Sequence, residues 1–316
     1  MTAQQASGSD SITTVIIAFA ANLLIAVAKS IAATITGSAS LVAEAAHSWA
    51  DAGNEVFLLI AERRSARKSD AAHPLGYGRA AYVWSMYAAF GLFAVGSAVS
   101  VMHGVQSLTA PEPATGFIIA YIVLGVSFVL EGISFTQAFR QAHERAENRG
   151  QNTLEHVLAS SNPTLRAVFA EDAAALVGIG IAFFGILLHE ITGSPVYDAI
   201  GSILVGVLLG IVAVILIDRN ARFLIGQSVD PGTRQAVLDQ LLTRDDIERV
   251  TYLHLEFVGP ERLFLVAAID LAGDSVESAV AHDLRRIERA IEANPHVAQV
   301  VLTLSVPSDP PLKVNA

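Results

Sequence analysis

Long apolar runs separated by short polar stretches fill most of the chain before residue 220. They cover residues 12–36, 39–61, 81–107, 116–139, 166–190 and 196–217. Each run is near or above the roughly 20 residues that an α-helix needs to cross the hydrocarbon of a bilayer. The pattern therefore predicts an α-helical membrane protein with six transmembrane helices in residues 12–222, after a polar, disordered segment at residues 1–11.

The periodicity changes after Val229, where Asp230-Pro231-Gly232 signals a turn. Apolar spacing then predicts helices at residues 232–242 and 275–293 and strands at residues 249–258, 262–271 and 296–306. This αββαβ order predicts a small cytoplasmic α+β domain at residues 223–306, in which helices pack on an antiparallel or mixed sheet. The Pro-rich residues 307–316 are expected to form a flexible tail.

Composition agrees with a membrane protein that carries a soluble part. The chain is 53% hydrophobic and only 16% charged. A formal net charge of −10 argues against a nucleic-acid partner. Cysteine is absent, which excludes disulfides and thiolate metal ligands. No motif supports hydrolytic or redox catalysis, so we expect a protein that is not an enzyme.

Among the connections between the apolar runs, only alternate ones carry basic residues. Lys and Arg occur at residues 62–80 and 140–166 and after residue 217, and they are absent near residue 37 and at residues 108–115 and 191–195. By the positive-inside rule, the basic connections and both termini are cytoplasmic. A bacterial-type inner or cell membrane is the expected location.

The second apolar run is interrupted by ionisable residues. His47 and Asp51 are four residues apart, a spacing that places an imidazole and a carboxylate on one face of a helix. Glu44 and Asn54 extend the same stripe. An ionisable residue inside a membrane span is costly and marks a functional site. Because neutral imidazole and carboxylate bind borderline divalent cations, the stripe predicts a metal site.

Two ligands on one helix do not complete a tetrahedral metal site, so other helices must contribute. Asp172 in the fifth run and Glu131 in the fourth are the candidates that join His47 and Asp51. A lone intramembrane carboxylate such as Glu131 is also explained as a protonated group in a helix–helix hydrogen bond. Glu171 is turned about 100° away from Asp172 on a helix, which favours a structural role.

Two other features of the runs are expected to be structural. Lys29 in the first run either snorkels or pairs with a carboxylate on a neighbouring helix. The many small residues, such as Gly201, Gly206 and Gly210, allow helices to pack closely in lipid.

Residues 38–55, SASLVAEAAHSWADAGNE, and residues 73–79, HPLGYGR, together resemble the cation diffusion facilitator family. Six spans and a terminal αββαβ domain fit the same family, and the resemblance covers residues 12–306. It implies a homodimeric exporter that exchanges Zn²⁺ or a related divalent ion for protons, with a ferredoxin-like C-terminal domain. It also implies a transport site between the second and fifth spans that uses His47, Asp51 and Asp172.

One departure from the family pattern affects this site. The position four residues before Asp172, usually His or Asp in the family, is Val168, so a fourth ligand is missing or comes from elsewhere. A branch with mitochondrial and some bacterial members combines this AED form with a Glu in the fourth span. Glu131 in FVLEGIS matches that feature, and the resemblance therefore supports Glu131 as a ligand or proton carrier.

Auxiliary metal sites of the family are incomplete here. In the loop after the second span, Asp70 and His73 match ligand positions, but Tyr77 occupies the third. Two ligands make a weak, exposed site at best. His254 and His282 stand alone in the C-terminal domain and are expected to be surface or interface residues. The domain is therefore expected to dimerise without sensing metal.

The leading expectation is a proton-coupled divalent-cation exporter with the metal ion as substrate and no cofactor. One imidazole with several carboxylates favours Zn²⁺, but the same ligands suit Mn²⁺, Fe²⁺ and Co²⁺. A non-transporting membrane metal-binding scaffold and a passive channel are the alternatives. In the exporter, protons replace the departing metal on His47 and on a carboxylate such as Asp51 or Glu131. The expected partners are the metal ion, protons, the bilayer and a second copy of the chain.

Overall fold

The computed structural model describes residues 6–110, 114–147, 150–273 and 275–313, without the side chains of residues 6–18 and 21. Long helices occupy the first part of the chain. They are α1 (Ala6–Thr36), α2 (Ala39–Ser65), α3 (Ala80–Gly91), α4 (Val99–Thr109), α5 (Phe117–Glu147), α6 (Thr153–Ala159), α7 (Pro163–Thr192) and α8 (Val196–Ile225). A π-helical segment, Leu92–Ala98, joins α3 to α4 into one continuous helix.

Among the described residues, four helices are long and apolar enough to cross a membrane. They are the continuous helix Ala80–Thr109, α5, α7 and α8. Of the other two expected spans, α1 is described with its side chains continuously only from Asn22, and its apolar stretch within that part is Asn22–Thr36. Helix α2 carries the charged side chains of the stripe, which lower its hydropathy.

Helix α1 starts earlier than the sequence predicts. Residues 1–5 of the expected disordered segment lie outside the described residues, but residues 6–11 are helical. Once an apolar stretch forms a helix, adding residues at its end costs little, because each new residue gains a hydrogen bond.

Glycines bring α8 against the continuous helix Ala80–Thr109, as the sequence predicts for its small residues. A Cβ placed on Gly206 would lie 2.9 Å from the Ser97 carbonyl oxygen and 2.9 Å from the Val101 nitrogen. A Cβ on Gly104 would lie 2.8 Å from the Ala199 carbonyl oxygen. No side chain fits at these points, so the two helix backbones are in direct contact.

The chain forms two compact units whose boundaries differ from the expected domains. The first comprises residues up to 61 and residues 84–220; the second comprises residues 62–83 and 221–316. The loop after α2 thus belongs to the C-terminal unit, although the sequence assigns it to the membrane domain. A Cβ on Gly78 would lie 2.8 Å from the Gly259 Cα, and Arg79 pairs with Glu256. These contacts explain why the loop packs with this unit.

The C-terminal unit contains the predicted αββαβ order. Its elements are α9 (Pro231–Leu242), β1 (Ile247–Gly259), β2 (Arg262–Leu271), α10 (Glu277–Glu292) and β3 (Val297–Leu304). The strand order is β1-β2-β3, with β1 antiparallel and β3 parallel to β2, so the sheet is mixed. Leu238, Leu253, Ile269 and Ile287 belong to the core between the helices and one face of the sheet.

Residues 305–313 contact the sheet, whereas the sequence predicts a flexible tail. The Leu312 N–H donates to the Val250 carbonyl at 2.8 Å, and the Leu312 side chain packs on the core. Arg249 Nη1 donates to the carbonyls of Pro307 at 3.3 Å and Asp309 at 3.1 Å. The tail is anchored because it supplies an apolar side chain and pairs with open groups of β1. Residues 314–316 lie outside the described part of the chain.

Candidate metal-binding site

The His47 and Asp51 pair lies on α2 as its spacing predicts. His47 Nε2 is 3.3 Å from Asp51 Oδ2, and the two side chains are 1% and 18% exposed. Small alanines dominate the buried surface of α2 around them, which lets neighbouring helices approach closely. The result is an imidazole and a carboxylate side by side in a protein interior.

Several buried atoms of this stripe have no hydrogen-bond partner among the described residues. They include Glu44 Oε1, both ring nitrogens of His47, Asp51 Oδ1 and Asn54 Oδ1. Buried polar atoms are nearly always hydrogen-bonded, so each exception requires an explanation. Lone pairs on nitrogen and oxygen that face no donor are available to a cation.

The other two predicted ligands lie on different helices. Asp172 on α7 accepts a hydrogen bond from Ser134 Oγ of α5 at 2.7 Å. Glu131 is partly buried on α5, one turn before Ser134. Yet nowhere in the described ranges do three His, Asp or Glu side chains stand close enough to hold one metal ion. A shared ion would have to draw them together.

Glu171, for which the sequence favours a structural role, makes a direct contact with the stripe on α2. Glu171 on α7 is 7% exposed, and both of its carboxylate oxygens accept hydrogen bonds from Asn54 Nδ2. Further along α2, Glu55 Oε1 accepts a hydrogen bond from Asn22 Nδ2 at 2.5 Å. The stripe itself was visible in the sequence, but the register of α7 against α2 was not.

Lys29 pairs with a carboxylate on a neighbouring helix, one of its two expected roles. Its Nζ lies 2.9 Å from Glu44 Oε2, and both side chains are 0% exposed. The second oxygen of Glu44 faces α7, since a Cβ on Gly178 would lie only 2.8 Å from it. The ion pair therefore fixes α1 to α2 next to the stripe, and Gly178 leaves room for it.

The start of α2 is held by Asp198 of α8, which the sequence analysis did not identify. Asp198 Oδ1 accepts from Ser38 Oγ at 2.9 Å and from the Ser40 N–H at 3.1 Å; Oδ2 accepts from the Ala39 N–H at 2.6 Å. The first N–H groups of a helix lack partners within it and attract negative charge. Asp198 therefore fixes α2 about two turns before His47.

The loop after α2 is closed by its own polar side chains. Asp70 accepts hydrogen bonds from Tyr77 Oη at 2.7 Å and from the His73 N–H at 2.8 Å. These bonds, the Tyr77 bond foremost, hold the pKa of Asp70 below its usual range and raise the pKa of Tyr77. Arg67 stacks on the Tyr77 ring at 4.4 Å from its centroid. The hydrogen bond from Tyr77 thus engages the Asp70 carboxylate that a metal ion would use.

The two candidate histidines of the C-terminal unit, His254 and His282, are surface residues. His254 on β1 is 45% exposed and lies 3.6 Å from Glu256 Oε2. His282 is exposed on α10. Neither belongs to a possible metal cluster within the described ranges, in agreement with their predicted surface position.

The helical part of the chain matches a known family of transmembrane domains. A family model described as the cation efflux transmembrane domain matches residues 15–225. Over 236 residues the chain is 36% identical to metal tolerance protein C4 of Arabidopsis thaliana. This match covers 75% of this chain and 52% of that protein. Over 259 residues it is 33% identical to the mitochondrial proton-coupled zinc antiporter SLC30A9 of Xenopus laevis, covering 82% of this chain and 46% of that protein.

The chain spans about half the length of these two relatives. A more distant similarity is nearly full-length: the chain is 24% identical over 293 residues to magnetosome protein MamB of Paramagnetospirillum magneticum, covering 91% of this chain and 92% of that protein. The family model matches more than half of the chain and includes every predicted ligand. The chain therefore belongs to the cation diffusion facilitator family, a family of integral membrane transporters of divalent metals rather than enzymes.

Proposed function

We propose that the chain exports a divalent transition-metal cation, with Zn²⁺ favoured, from the cytoplasm in exchange for protons. The observation that carries the proposal is the buried imidazole of His47, whose ring nitrogens have no hydrogen-bond partner among the described residues, beside Asp51 on α2. The name of one relative, a proton-coupled zinc antiporter, supports both the metal and the coupling.

In this proposal His47 and Asp51 are the centre of the site, and Asp172 and Glu131 add oxygen donors from α7 and α5. Asp172 accepts a hydrogen bond from Ser134, one turn from Glu131 on α5, so the two carboxylates lie on adjoining helices, which supports their inclusion together. A divalent cation offsets the mutual repulsion of these carboxylates, so rotation of their side chains towards it is favourable. Asp172 would exchange its hydrogen bond from Ser134 for a metal bond.

Coupling follows from competition for the same atoms. Metal ligands must be deprotonated, so binding a metal ion to the imidazole and the carboxylates displaces protons. The site can then bind either the metal ion or protons. Alternate opening to the two sides of the membrane converts this competition into antiport.

The same proposal includes the membrane arrangement. We infer that α1 and α2 also cross the bilayer, which gives six spans, and that both termini are cytoplasmic. Arg63 and Arg64 in the last turn of α2 and Arg222 in the last turn of α8 support this orientation under the positive-inside rule. A homodimer in a bacterial-type inner or cell membrane completes the arrangement.

Reconstituted vesicles test the function. The wild-type chain should move Zn²⁺, and a pH gradient should change the rate of movement. Asp51→Ala and Asp172→Ala should each reduce transport to background, because each removes a proposed ligand, while leaving insertion into the vesicles intact. Wild-type rates in either variant would contradict the site.

Two controls separate the alternatives. Metal flux that is indifferent to the pH gradient would indicate a channel, and binding without flux would indicate a scaffold. Competition among Zn²⁺, Mn²⁺, Fe²⁺ and Co²⁺ on the wild type identifies the preferred substrate. Preference for one of the last three would keep the antiport mechanism and replace zinc.

A further inference from the structure

Glu171 is tied to the same stripe of α2 that carries the His47 and Asp51 pair. Asn54, whose Nδ2 donates to both carboxylate oxygens of Glu171, follows Asp51 by three residues and therefore lies on the same face of α2. Both Asn54 and Glu171 are buried. The carboxylate of Glu171 thus reaches across from α7 to the next turn of the stripe.

Asp172, its neighbour on α7, is directed elsewhere. It accepts its hydrogen bond from Ser134 on α5, whereas Glu171 faces α2. Consecutive residues of an α-helix differ by about 100° in direction, so the two side chains serve different neighbours.

A purely structural role explains Glu171 poorly. The amide of Asn54 donates hydrogen bonds but supplies no positive charge. An apolar side chain or an amide would pack at this position without the cost of burying a carboxylate. On the face of α2 that carries Asn54, both His47 ring nitrogens, Asp51 Oδ1 and Asn54 Oδ1 are buried without a partner in the described part of the chain. These atoms and Glu171 are the donors expected around a cation.

We propose that Glu171 is a further ligand of the transported cation and supplies from α7 the oxygen donor that Val168 does not provide. The inference rests on the proposed function. A carboxylate has two oxygens, so Glu171 can keep one hydrogen bond to Asn54 while its other oxygen binds the ion. Asn54 orients this ligand without touching the metal, as partners of metal ligands commonly do.

Zinc binding to the purified full-length chain tests the proposal by titration calorimetry. Glu171→Gln keeps the size of the side chain and an acceptor for Asn54 but removes the charge. It should weaken Zn²⁺ binding by at least about tenfold, and Asn54→Ala should weaken it by about tenfold. Wild-type affinity in a folded Glu171→Gln variant would overturn the proposal.

Glu190→Gln is the matched control. Glu190 lies on the same helix and also accepts a hydrogen bond from a neutral group, Tyr121 Oη, at 2.5 Å. This variant should bind Zn²⁺ like the wild type. Asp51→Asn separates the two proposals: if it loses binding while Glu171→Gln does not, only the inference on Glu171 fails. If Asp51→Asn binds normally, the proposed site itself is wrong.

A second substitution distinguishes lost coordination from lost packing. Val168 precedes Glu171 by three residues on α7 and Asp172 by four, so a histidine there can reach the same region. Val168→His should restore Zn²⁺ binding in the Glu171→Gln background. A folded double variant without recovery would indicate a packing defect and overturn the proposal.

Glu171→Asp covers the case in which the glutamine variant does not fold. It keeps the negative charge but shortens the side chain, so the oxygen donor is withdrawn from the cation. Zn²⁺ affinity should fall by about tenfold, and the order of preference among Zn²⁺, Mn²⁺ and Cd²⁺ should change. An unchanged affinity and order would count against Glu171 as a ligand.

Discussion

Lys29 and Glu44 form a fully buried ion pair, in which both side chains are 0% exposed to solvent. Removing one partner of a buried pair leaves an uncompensated charge, which costs about 3–5 kcal/mol, whereas removing both is far less harmful. Lys29→Met or Glu44→Gln alone should therefore destabilise the fold by about that amount. The double variant should recover most of the loss.

Thermal or denaturant unfolding in detergent measures these effects as a double-mutant cycle. Glu144→Gln, on the exposed end of α5, is the control and should change stability little. Additive losses in the double variant would show that the two residues do not act as a pair.

The sequence predicted which site residues share one helix, but not the contacts that depend on how two helices are aligned. His47 and Asp51 share one helix, so their spacing alone placed them together. The partner of Lys29 was predicted only as a carboxylate on another helix. Glu171 and Asp198 depend on how α7 and α8 lie against α2, and tertiary packing, not local periodicity, sets that register.

At the level of elements, α2 is positioned by contacts at three points. Asp198 holds its first residues, Lys29 contacts it at Glu44, and Glu171 contacts it at Asn54. Each contact comes from a different helix, so a movement of α1, α7 or α8 would shift the stripe. In the proposed antiport mechanism, such a movement would open the site to alternate sides.

The turn between α9 and β1 carries an ion-pair cluster that connects it to α10. Asp246 accepts hydrogen bonds from Arg244 at 2.9 Å and from Arg286 of α10 at 3.0 Å. Arg244 first, then Arg286, lowers the pKa of Asp246 from its ordinary value. A carboxylate whose pKa is lower in the folded state stabilises the fold above its unfolded pKa, and this contribution is lost as the pH falls through the folded value.

Asp246→Asn should therefore destabilise the C-terminal unit at neutral pH. The difference from wild type should shrink as the pH falls below about 4, where the carboxylate is protonated first in the unfolded chain, and should vanish below the lowered pKa of the folded state. Thermal unfolding between pH 7 and the acid range measures it. Asp283→Asn is the control, since Asp283 contacts Arg286 within α10 alone. A difference that stays constant across the pH range would contradict this role of the charge.

At the level of the whole molecule, length and apolar periodicity predicted most of the architecture. The long helices and the αββαβ order were visible because each element has its own period. The anchoring of residues 305–313 and the grouping of residues 62–83 with the C-terminal unit were not predicted. Both depend on contacts between distant residues, such as Leu312 with Val250 and Gly78 with Gly259, which leave no local pattern.

The edges of the C-terminal sheet bear on how two copies would associate. On the outer edge of β3, the N–H groups of Val300 and Leu302 donate to the carboxylates of Glu292 and Glu288 of α10. The outer edge of β1 pairs with Ser228 and with Leu312. Because both edges are covered, a second copy cannot simply add a strand. The sheet face away from the helices is the better surface.

That face leads to a prediction about oligomeric state. Tyr252, 53% exposed, pairs with Ala268 across the sheet, and His254 pairs with Val266, which in turn pairs with Val301. Ala268, Val266 and Val301 are half-buried, so this face presents a partly exposed apolar surface of the kind that indicates an interface. Since no metal-holding cluster occurs in the described part of this unit, we expect residues 230–316 alone to form a dimer in the presence of a chelator.

Sedimentation of this fragment in chelator decides between a metal-independent and a metal-induced dimer. Val301→Asp should convert the dimer to a monomer, because burying an unpaired carboxylate in an apolar interface is unfavourable. His282→Ala, on the exposed side of α10, should leave the dimer unchanged. A wild-type fragment that is monomeric in chelator and dimerises only after Zn²⁺ is added would contradict the prediction. In that case the C-terminal unit would sense the ion that the membrane helices transport, and His254 and His282 would be the first residues to test as its ligands.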